Sequence, residues 1–314
     1  MCSGNLTFRL LSKWRRFVLN FLKKWFNPQK PVADNVQTAP LSPEQLSAVS
    51  ERTINFTPPQ LLYAVNQSSG LQREHNEDTL FAFSSILGDG RADIPFGVFI
   101  VADGMGGHQH GEAASGAAAK AMGSYLVNKL SSRFLGSHSE DQFESLQEIM
   151  ENGVKEAQRN VIRNAPGGGT TLTAVLVIGE QVTVAHVGDS RLYFIYPDGR
   201  AKVMTEDHSL VQRLKDLGQL SDHEASVHPQ RNVLYRALGQ SDPFKPDIKS
   251  LPFPHPGYML LCSDGLWGVV PENDIVRIVN SSESPIMACY DLVSLANSNG
   301  GPDNISVILV KYMC

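Results

Sequence analysis

The sequence is poor in cysteine, and this scarcity indicates whether the protein relies on disulfides. Four cysteines occur in 314 residues, and no two of them have the CxxC spacing. Small secreted domains that rely on disulfides are far richer in cysteine. Cys262 lies in an apolar run, where a reduced thiol acts as a small hydrophobic side chain. A disulfide framework is therefore not expected, and a cytoplasmic location fits the composition better.

The chain also lacks any apolar run of the length that a membrane-spanning helix needs, about 20 residues. A secretory signal is not expected, because charged residues interrupt the first apolar stretch. No internal repeat is visible in the sequence. With 42% hydrophobic and 19% charged residues, the composition is that of a soluble globular protein with one large domain or two small ones.

Positive charge is scarce in most of the chain and is concentrated at its start. Residues 1–30 contain seven Lys or Arg and no acidic residue, whereas the remainder has 20 basic and 32 acidic residues, a balance of -12. The acidic body argues against nucleic acid as the main ligand, since basic surfaces bind phosphate backbones. The basic start indicates that this segment has a partner of its own.

Residues 8–26 within the basic start are predicted to form an amphipathic helix. Apolar residues such as Leu10, Trp14 and Phe21 recur at three- and four-residue spacing, and basic residues fall largely on the other side. One interpretation is peripheral contact with an anionic membrane surface. The alternatives are a helix docked on the body or on a partner protein, and a mitochondrial transit segment.

Three parts follow from these patterns. Residues 1–30 are the basic amphipathic N-terminal segment. Residues 31–60 are a proline-rich linker, within a stretch from 27 to 60 that contains six prolines. Residues 61–314 are predicted to be the folded body.

Strand-like and helical patterns occur in separate blocks of the body. The strand-like runs are Phe96–Ala102, Leu172–Ile178, Val182–Val187, Arg191–Tyr196, Tyr258–Cys262 and Ile305–Lys311. Helical patterns cover Glu112–Ser131 and Asp141–Asn164, between the early and the middle strands. Several strands then follow in series with few helices between them. The expected fold class is α+β with a large antiparallel sheet system.

Aspartates stand where apolar runs end or begin. Asp103, Asp189 and Asp264 each come at the end of such a run, and Asp303 comes just before one. Carboxylates near an apolar core are costly unless something positive neutralises them. Several of them at strand ends therefore indicate a cluster of hard cations such as Mg²⁺ or Mn²⁺, which prefer oxygen ligands.

Six short motifs occur in order through the body: Gly70–Asp78, Ala102–His108, Gly169-Thr170-Thr171, Gly188–Arg191, Ser263-Asp264-Gly265 and Asp303-Asn304. Each motif alone is weak, because Asp-Gly pairs are common in turns. As an ordered set, from about Tyr63 to Tyr312, they resemble the motifs of the metal-dependent PP2C-type (PPM) serine/threonine phosphatases, in a bacterial-like form. The resemblance implies a four-layer α-β-β-α sandwich of two antiparallel sheets flanked by helices, with a metal site in a cleft at one edge.

The resemblance also implies the ligands of two Mg²⁺ or Mn²⁺ ions. Asp103 would bridge the two metals, and the carbonyl of Gly104 would add a ligand. Asp264 and Asp303 would complete the first metal site. Mg²⁺ held by few carboxylates keeps several waters.

Three further residues take implied roles around these two ions. Glu77 and Asp78 would help to hold the second metal, partly through water. Asp189 resembles the ligand of a third metal in bacterial members. Arg73 matches the family's phosphate-binding arginine, and its planar fork suits phosphate oxygens.

The implied activity is hydrolysis of phosphoserine and phosphothreonine in proteins. A metal-activated water would attack phosphorus in line, without a phosphoenzyme. One alternative is a catalytically silent module of the same fold that binds phosphoproteins. Another is a phosphatase confined to one regulatory partner, such as a cognate kinase or an anti-sigma-factor antagonist.

Several of these residues also have plainer interpretations. Arg73 could be a structural ion-pair partner, and Asp189 could be a turn residue. Asp303 and Glu77 could be ordinary surface acids. Asp198, in a Pro-Asp-Gly turn, is expected to be a turn aspartate only.

The general acid is the part of the site that the sequence determines least. Many eukaryotic members of the family carry a histidine directly after the Asp-Gly pair, where this chain has Met105. His108 is a candidate for the role. His186 is expected to be packed or hydrogen-bonded rather than catalytic. The stretch His208–Arg231 resembles the family's flap beside the catalytic cleft.

Overall fold

The computed structural model describes residues 57–88, 93–107, 109–135, 144–240 and 245–314. The predicted helix over residues 8–26, nearly all of the predicted linker, and His108 lie outside the described residues. Their predicted roles are therefore not addressed by the structure. Within the described ranges, no helix is both long enough and apolar enough to cross a membrane.

The described strands, in chain order, are β1 Gln60–Ser68, β2 Thr79–Gly88, β3 Asp93–Ala102, β4 Gly104–Met105, β5 Gly169–Thr170, β6 Leu172–Ile178, β7 Gln181–Val187, β8 Arg191–Ile195, β9 Ala201–Val203, β10 Asp247–Pro252, β11 Tyr258–Cys262 and β12 Ile305–Met313. They form a first sheet in the order β1-β12-β11-β8-β9, a second in the order β10-β7-β6-β3-β2, and a small pair β4-β5. Neighbouring strands in the described sheets are antiparallel.

The described helices are α1 Gln109–Leu135, α2 Leu146–Asn164, α3 Leu210–Asp216, α4 Asp222–Ser226, α5 Asp264–Trp267, α6 Glu272–Ser281 and α7 Pro285–Ser298. Helix α2 begins five residues later than the sequence pattern predicted. The reason is a capping box, in which the Ser145 hydroxyl accepts from the Glu148 N–H and the Glu148 carboxylate accepts from the Ser145 N–H.

Three apolar interfaces hold these elements in four layers. One joins α1 and α2 to the second sheet, one joins the two sheets, and one joins the first sheet to α6 and α7. Both faces of strand β3 are apolar because it lies between the helices and the first sheet. Its Val98 and Ile100 pack under the helices, while Phe99 and Val101 pack between the sheets. The predicted α-β-β-α sandwich is confirmed.

The strand register brings the predicted motifs to one edge of the sandwich. In the first sheet, the last residue of β1 lies opposite the first residue of β12, and the last residue of β11 lies opposite the first residue of β8. In the second sheet, the last residue of β3 lies opposite the first residue of β2, and the last residue of β7 lies opposite the first residue of β6. Loops 69–78, 103–107, 188–190, 263–264 and 301–304 leave or enter strands at those ends.

Candidate active site

Asp103 sits at the end of β3 and is fixed by hydrogen bonds to its backbone. Its N–H donates to Thr171 Oγ1 at 2.9 Å. Its carbonyl accepts from Thr171 N–H at 2.9 Å and from the Thr170 hydroxyl at 2.9 Å. The two threonines of the Gly-Thr-Thr motif therefore have a structural role, because they fix the backbone that carries the Asp103 side chain.

Gly104 follows at a point of close backbone approach. A Cβ there would lie 2.3 Å from the carbonyl oxygen of Gly111 and 2.5 Å from that of Glu77. Gly111 is equally tight, since its Cβ would lie 2.0 Å from Glu77 Oε2. The start of α1 and the Glu77 loop are thus packed directly against the Asp-Gly turn, where only hydrogen fits.

Asp78 lies beneath the site rather than in its wall. Its Oδ2 accepts hydrogen bonds from the hydroxyls of Ser263 at 2.8 Å and Ser306 at 2.7 Å. Its Oδ1 is buried and has no hydrogen-bond partner. The side chain is 7% exposed. The two serines come from β12 and from the turn after β11, so Asp78 joins its own loop to the first sheet.

The remaining predicted residues meet in one cavity of about 210 Å³. Its wall includes Arg73, Glu77, Asp103, Gly104, Asp189, Asp264 and Asp303. Apart from Asp78, all the residues predicted for metal and phosphate binding therefore share one space. Glu77 and Asp303, which could also be ordinary surface acids, thus lie in the same cavity wall as the other acids.

Crowding and burial shift the protonation of these carboxyl groups. Burial raises the pKa of Asp78 to about 7, although the serine hydroxyls act in the opposite direction. Burial, followed by the charge of Asp303, raises the pKa of Asp264 to about 6. The pKa of Asp103 and that of Asp189 are also raised, first by burial and then by neighbouring aspartates. Negative charge is therefore costly here unless a cation compensates it.

The donor set fits divalent cations that prefer oxygen ligands. Asp78 Oδ1 and Asp264 Oδ1 are buried without a hydrogen-bond partner, which is unusual for carboxylate oxygens. In the described part of the chain, no three Asp, Glu, His or Cys side chains surround a single point as in a closed metal cage. Mg²⁺ sites are commonly open, with one or two carboxylates and several waters, so the cavity suits such an ion.

Arg73 is the one Lys or Arg side chain in the described wall of this cavity. Its Nη2 donates to Asp303 Oδ2 at 2.8 Å, with side-chain exposures of 51% and 28%. The ion-pair interpretation of Arg73 is thus correct for this contact. A guanidinium has five N–H donors, so the pair with Asp303 leaves donors for phosphate oxygens.

The remaining sequence predictions have mixed outcomes. Asp198 is a turn residue, since it is exposed and its Oδ1 accepts from Arg200 N–H at 3.1 Å. His186 is 1% exposed and hydrogen-bonded, as predicted. Met105 lines the cavity, and no histidine does so among the described residues. His108 lies outside those residues, so the general acid stays a prediction.

A second cavity of about 420 Å³ adjoins the first. The two share Arg73, Asn232, Asp264 and Asp303. The predicted flap supplies helices α3 and α4, with Val211, Gln212, Lys215 and Arg231 among its wall residues, and Trp267 and Val269 lie in the wall after β11. The acidic cavity therefore opens into a wider, partly apolar cleft.

Sequence reasoning missed the residues that hold the acids in place. Asn304 Nδ2 donates to the carbonyls of Ser69 at 2.9 Å and His75 at 2.8 Å. Trp267 Nε1 donates to the carbonyl of Asp189 at 3.0 Å. The signal for Asn304 was its place beside Asp303 in a motif. Trp267 gave no signal before the fold was known.

Comparisons with known proteins agree with this geometry. A family model described as protein phosphatase 2C matches residues 63–305. The chain is 36% identical over 248 residues to the serine/threonine phosphatase stp of Listeria welshimeri, a match covering 77% of this chain and 92% of that protein.

Solved structures show the same likeness. The S. agalactiae serine/threonine phosphatase aligns with a TM-score of 0.67 and 31% identity, covering 80% of this chain and 99% of that one. The catalytic domain of the serine/threonine protein phosphatase PstP, solved with two manganese ions, aligns with a TM-score of 0.63 and 27% identity, covering 81% and 99%.

Proposed function

The chain belongs to the protein phosphatase 2C family and is a metal-dependent serine/threonine protein phosphatase, and from this premise we propose how its residues perform the reaction. The observation that carries the proposal is the single cavity in which Arg73 faces a set of aspartates with raised pKa values. One buried, unpartnered carboxylate oxygen lies in its wall, on Asp264, and a second lies beneath it, on Asp78. Such a set needs divalent cations to be stable when ionised.

The residues that would hold the ions are Glu77, Asp78, Asp103, Gly104, Asp189, Asp264 and Asp303. Asp103 would take part in holding two Mg²⁺ or Mn²⁺ ions, and Asp189 would take part in holding a third. When bound, such ions lower the pKa of a bound water and so supply the nucleophile. Arg73 binds the phosphate oxygens, and its bond to Asp303 orients the guanidinium over the acidic cavity.

Direct attack by water, without a phosphoenzyme, is supported by what lines the cavity. No serine, cysteine or histidine lies in its described wall. Thr171 is the hydroxyl residue there, and its Oγ1 accepts from Asp103 N–H and contacts Ser190 Oγ at 2.7 Å. Acid quenching during turnover of a ³²P-labelled phosphopeptide tests this point. Label retained covalently on the protein would refute direct attack.

The main test is release of phosphate from phosphoserine and phosphothreonine peptides. Asp103→Asn and Asp264→Asn should each lose more than about 100-fold of the Mn²⁺- or Mg²⁺-dependent rate, since replacing even the hydrogen-bond partners of metal ligands costs about 10–100-fold. Asp198→Asn is the matched control, because it removes an exposed turn carboxylate. Full activity of either cavity variant, or activity in excess chelator, would falsify the proposal.

The silent binding module is not favoured by any residue of the site. Such a protein should lack one or more metal aspartates, and here the predicted set is complete. We further propose a cytoplasmic protein that acts on phosphoproteins, with a cognate kinase as a regulatory partner. Peripheral membrane contact through residues 8–26 is also proposed on the basis of their basic amphipathic pattern. Fusing residues 1–30 to a fluorescent reporter tests it, since a wholly diffuse signal would contradict it.

A further inference from the structure

Two buried histidines lie behind the acidic cavity, and the reaction as described does not use them. His186 is in β7, and His208 directly precedes Ser209, the N-cap residue of α3 at the start of the flap. Their side chains are 1% and 2% exposed, and their ring centroids are 4.9 Å apart. Neither ring lines either of the two cavities.

His208 is clamped to Gly188, the residue before Asp189, by two hydrogen bonds. The backbone N–H of His208 donates to the Gly188 carbonyl at 2.8 Å. The Gly188 N–H donates in return to His208 Nδ1 at 3.0 Å. An amide N–H can only donate, so Nδ1 carries no proton and Nε2 carries it. Nε2 then donates to Asp247 Oδ2 at 3.2 Å. Arg236 Nη1 lies 3.0 Å from the same Nε2, and because both nitrogens then carry hydrogen, this contact is not a hydrogen bond.

The neutral form of this ring is consistent with its surroundings. Burial and the nearby charge of Arg236 lower the pKa of His208, against the effect of Asp247. Arg236 also donates to Asp247 Oδ1 at 2.9 Å. The contact between His208 and Asp247 is therefore a hydrogen bond to a carboxylate rather than a salt bridge.

The turn that carries Asp189 is also held by close packing and by hydrogen bonds on its other side. Gly188 has φ +104°, and a Cβ there would lie 2.6 Å from Thr171 Cβ. The Ser190 carbonyl accepts from the Thr173 hydroxyl at 2.8 Å, and that hydroxyl oxygen is 2.9 Å from His186 Nδ1. Contacts on both sides of Asp189 thus lead back to the two histidines.

His208 also lies at the base of the flap, where the two ends of the flap meet. The His208 carbonyl accepts from Tyr235 N–H at 2.9 Å, and Leu210 N–H donates to the Val233 carbonyl at 2.8 Å. The two ends of the stretch from 208 to 235 are therefore paired to each other at His208. A single residue joins the base of the flap to the turn that carries Asp189.

We infer that His208 is a positioning residue, which holds the Asp189 turn through Gly188 and couples the flap to the acidic cavity. The inference rests on the proposed role of Asp189 as a metal ligand. A looser turn presents the Asp189 carboxylate less accurately, so the cation bound there should be held more weakly. The ions around Asp103 should be affected less, because other loops carry their ligands.

The test uses the full-length protein and three histidine variants. His208→Leu removes the ring acceptor at similar size, and His208→Asn keeps an acceptor near the position of Nδ1. His228→Leu is the matched control, since half-buried His228 also accepts a backbone N–H in the flap, from Gln230 at 3.1 Å. The readouts are the ¹⁵N shifts of the His208 ring and Gly188 amide in metal-free protein, Mn²⁺ titration calorimetry, and the Mn²⁺ dependence of p-nitrophenyl phosphate hydrolysis.

In the wild type, the His208 ring should be neutral with its proton on Nε2. His208→Leu should shift the Gly188 amide resonance and raise the Mn²⁺ concentration for half-maximal activity about tenfold, the order expected for a buried donor left without its partner. His208→Asn should recover most of that loss, and His228→Leu should match the wild type.

A proton on Nδ1 in the wild type would overturn the inference, and this measurement needs no variant to fold. An unchanged Mn²⁺ dependence in folded His208→Leu would overturn it as well. Asp189→Asn separates this failure from failure of the proposed function. If Asp189→Asn weakens Mn²⁺ binding while His208→Leu does not, only the positioning role is lost. If Asp189→Asn has no effect, the ligand role itself is wrong.

Discussion

Asn304 Oδ1 accepts a hydrogen bond from the backbone N–H of Glu77 at 2.8 Å, across 227 residues of sequence. Its Nδ2 donates to two carbonyls of the loop from 69 to 75. One buried amide therefore ties the loop that carries Arg73, Glu77 and Asp78 to the start of β12. The position of three site residues depends on this side chain, which is not predicted to touch metal or substrate.

Replacing Asn304 should reduce both stability and activity. Asn304→Ala removes three hydrogen bonds and leaves one backbone donor and two carbonyls without partners. We expect a loss of about 3 kcal/mol in the free energy of unfolding, measured by urea denaturation. Asn299→Ala is the control, since exposed Asn299 makes one such bond, to the Val269 carbonyl at 2.8 Å. Equal losses in the two variants would contradict the assigned role of Asn304.

The site aspartates could be identified from the sequence because each one lies directly beside an apolar run. Asp103 and Asp264 follow apolar runs that are strands in the structure, and strand ends have fixed positions. The register then brings the ends together, which short-range patterns cannot specify. Asp78 is an example of a site residue whose position such local patterns do not predict. Its partners Ser263 and Ser306 are 185 and 228 residues away, so its place beneath the cavity could not be predicted from its neighbours.

Helix α6 has a local sequence pattern that is typical of a helix with one buried face. Its buried residues Ile275, Val276, Ile278 and Val279 recur at the spacing of one helix face. Strand β1 is different, because at the edge of its sheet it mixes buried and exposed residues without clear alternation. Its strand conformation depends on nine paired positions with β12, which lie far away in sequence.

Glycine at position 104 should be essential, whereas glycine at position 116 should not be. Gly104→Ala would place a methyl group within 2.3 and 2.5 Å of two backbone oxygens. Backbone atoms cannot move aside cheaply, so we expect a loss of about 3 kcal/mol in stability and loss of metal-dependent phosphatase activity. Thermal and urea unfolding of the purified variant measure the first, and phosphate release measures the second.

Gly116→Ala is the matched control for that substitution. Gly116 lies inside α1, and the nearest atom to an added Cβ is Thr79 Oγ1 at 3.9 Å. Alanine in a helix interior is favoured over glycine by about 0.5–1 kcal/mol. The variant should therefore be more stable than the wild type and equally active. Similar behaviour of the two variants would show that steric contact at Gly104 does not govern the site.

Removing Asp264 should stabilise the metal-free protein while it abolishes stabilisation by metal. The folded-state pKa of Asp264 is raised from 3.8 to about 6. A carboxyl group of this kind favours folding below its unfolded pKa and loses that contribution as pH rises through 6. In chelator at pH 8, the free energy of unfolding of Asp264→Asn should therefore exceed that of the wild type, by at most about 3 kcal/mol.

Mn²⁺ should remove most of this difference in stability between the two proteins. A ligand at 100 times its dissociation constant stabilises the folded state by about 2.7 kcal/mol. The wild type should gain stability of this order in Mn²⁺, and Asp264→Asn should gain much less. Melting curves with chelator and with Mn²⁺ measure both effects. A wild type that is more stable than the variant in chelator would show that the carboxylates are not strained without metal.

His186 should make the protein sensitive to acid. Burial and the neighbouring ring of His208 lower the pKa of His186 to about 3. The unfolded chain therefore takes up a proton near pH 6.5, whereas the folded chain does not until about pH 3. Stability from the neutral ring is complete above pH 6.5 and is lost as pH falls toward 3, by up to about 1.4 kcal/mol per pH unit.

The variant His186→Gln isolates this contribution, because it keeps a polar side chain that does not titrate. Other groups near the ring, including His208, Asp247 and the Glu206 carbonyl, are present in both proteins and cancel in the difference. The stability of the wild type relative to His186→Gln should decrease steadily from pH 6 to pH 4. His255→Gln, which removes an exposed ring, controls for the change in histidine number. Urea unfolding at each pH measures the difference, and a constant value across this range would mean that the folded protein accommodates a charged His186 without cost.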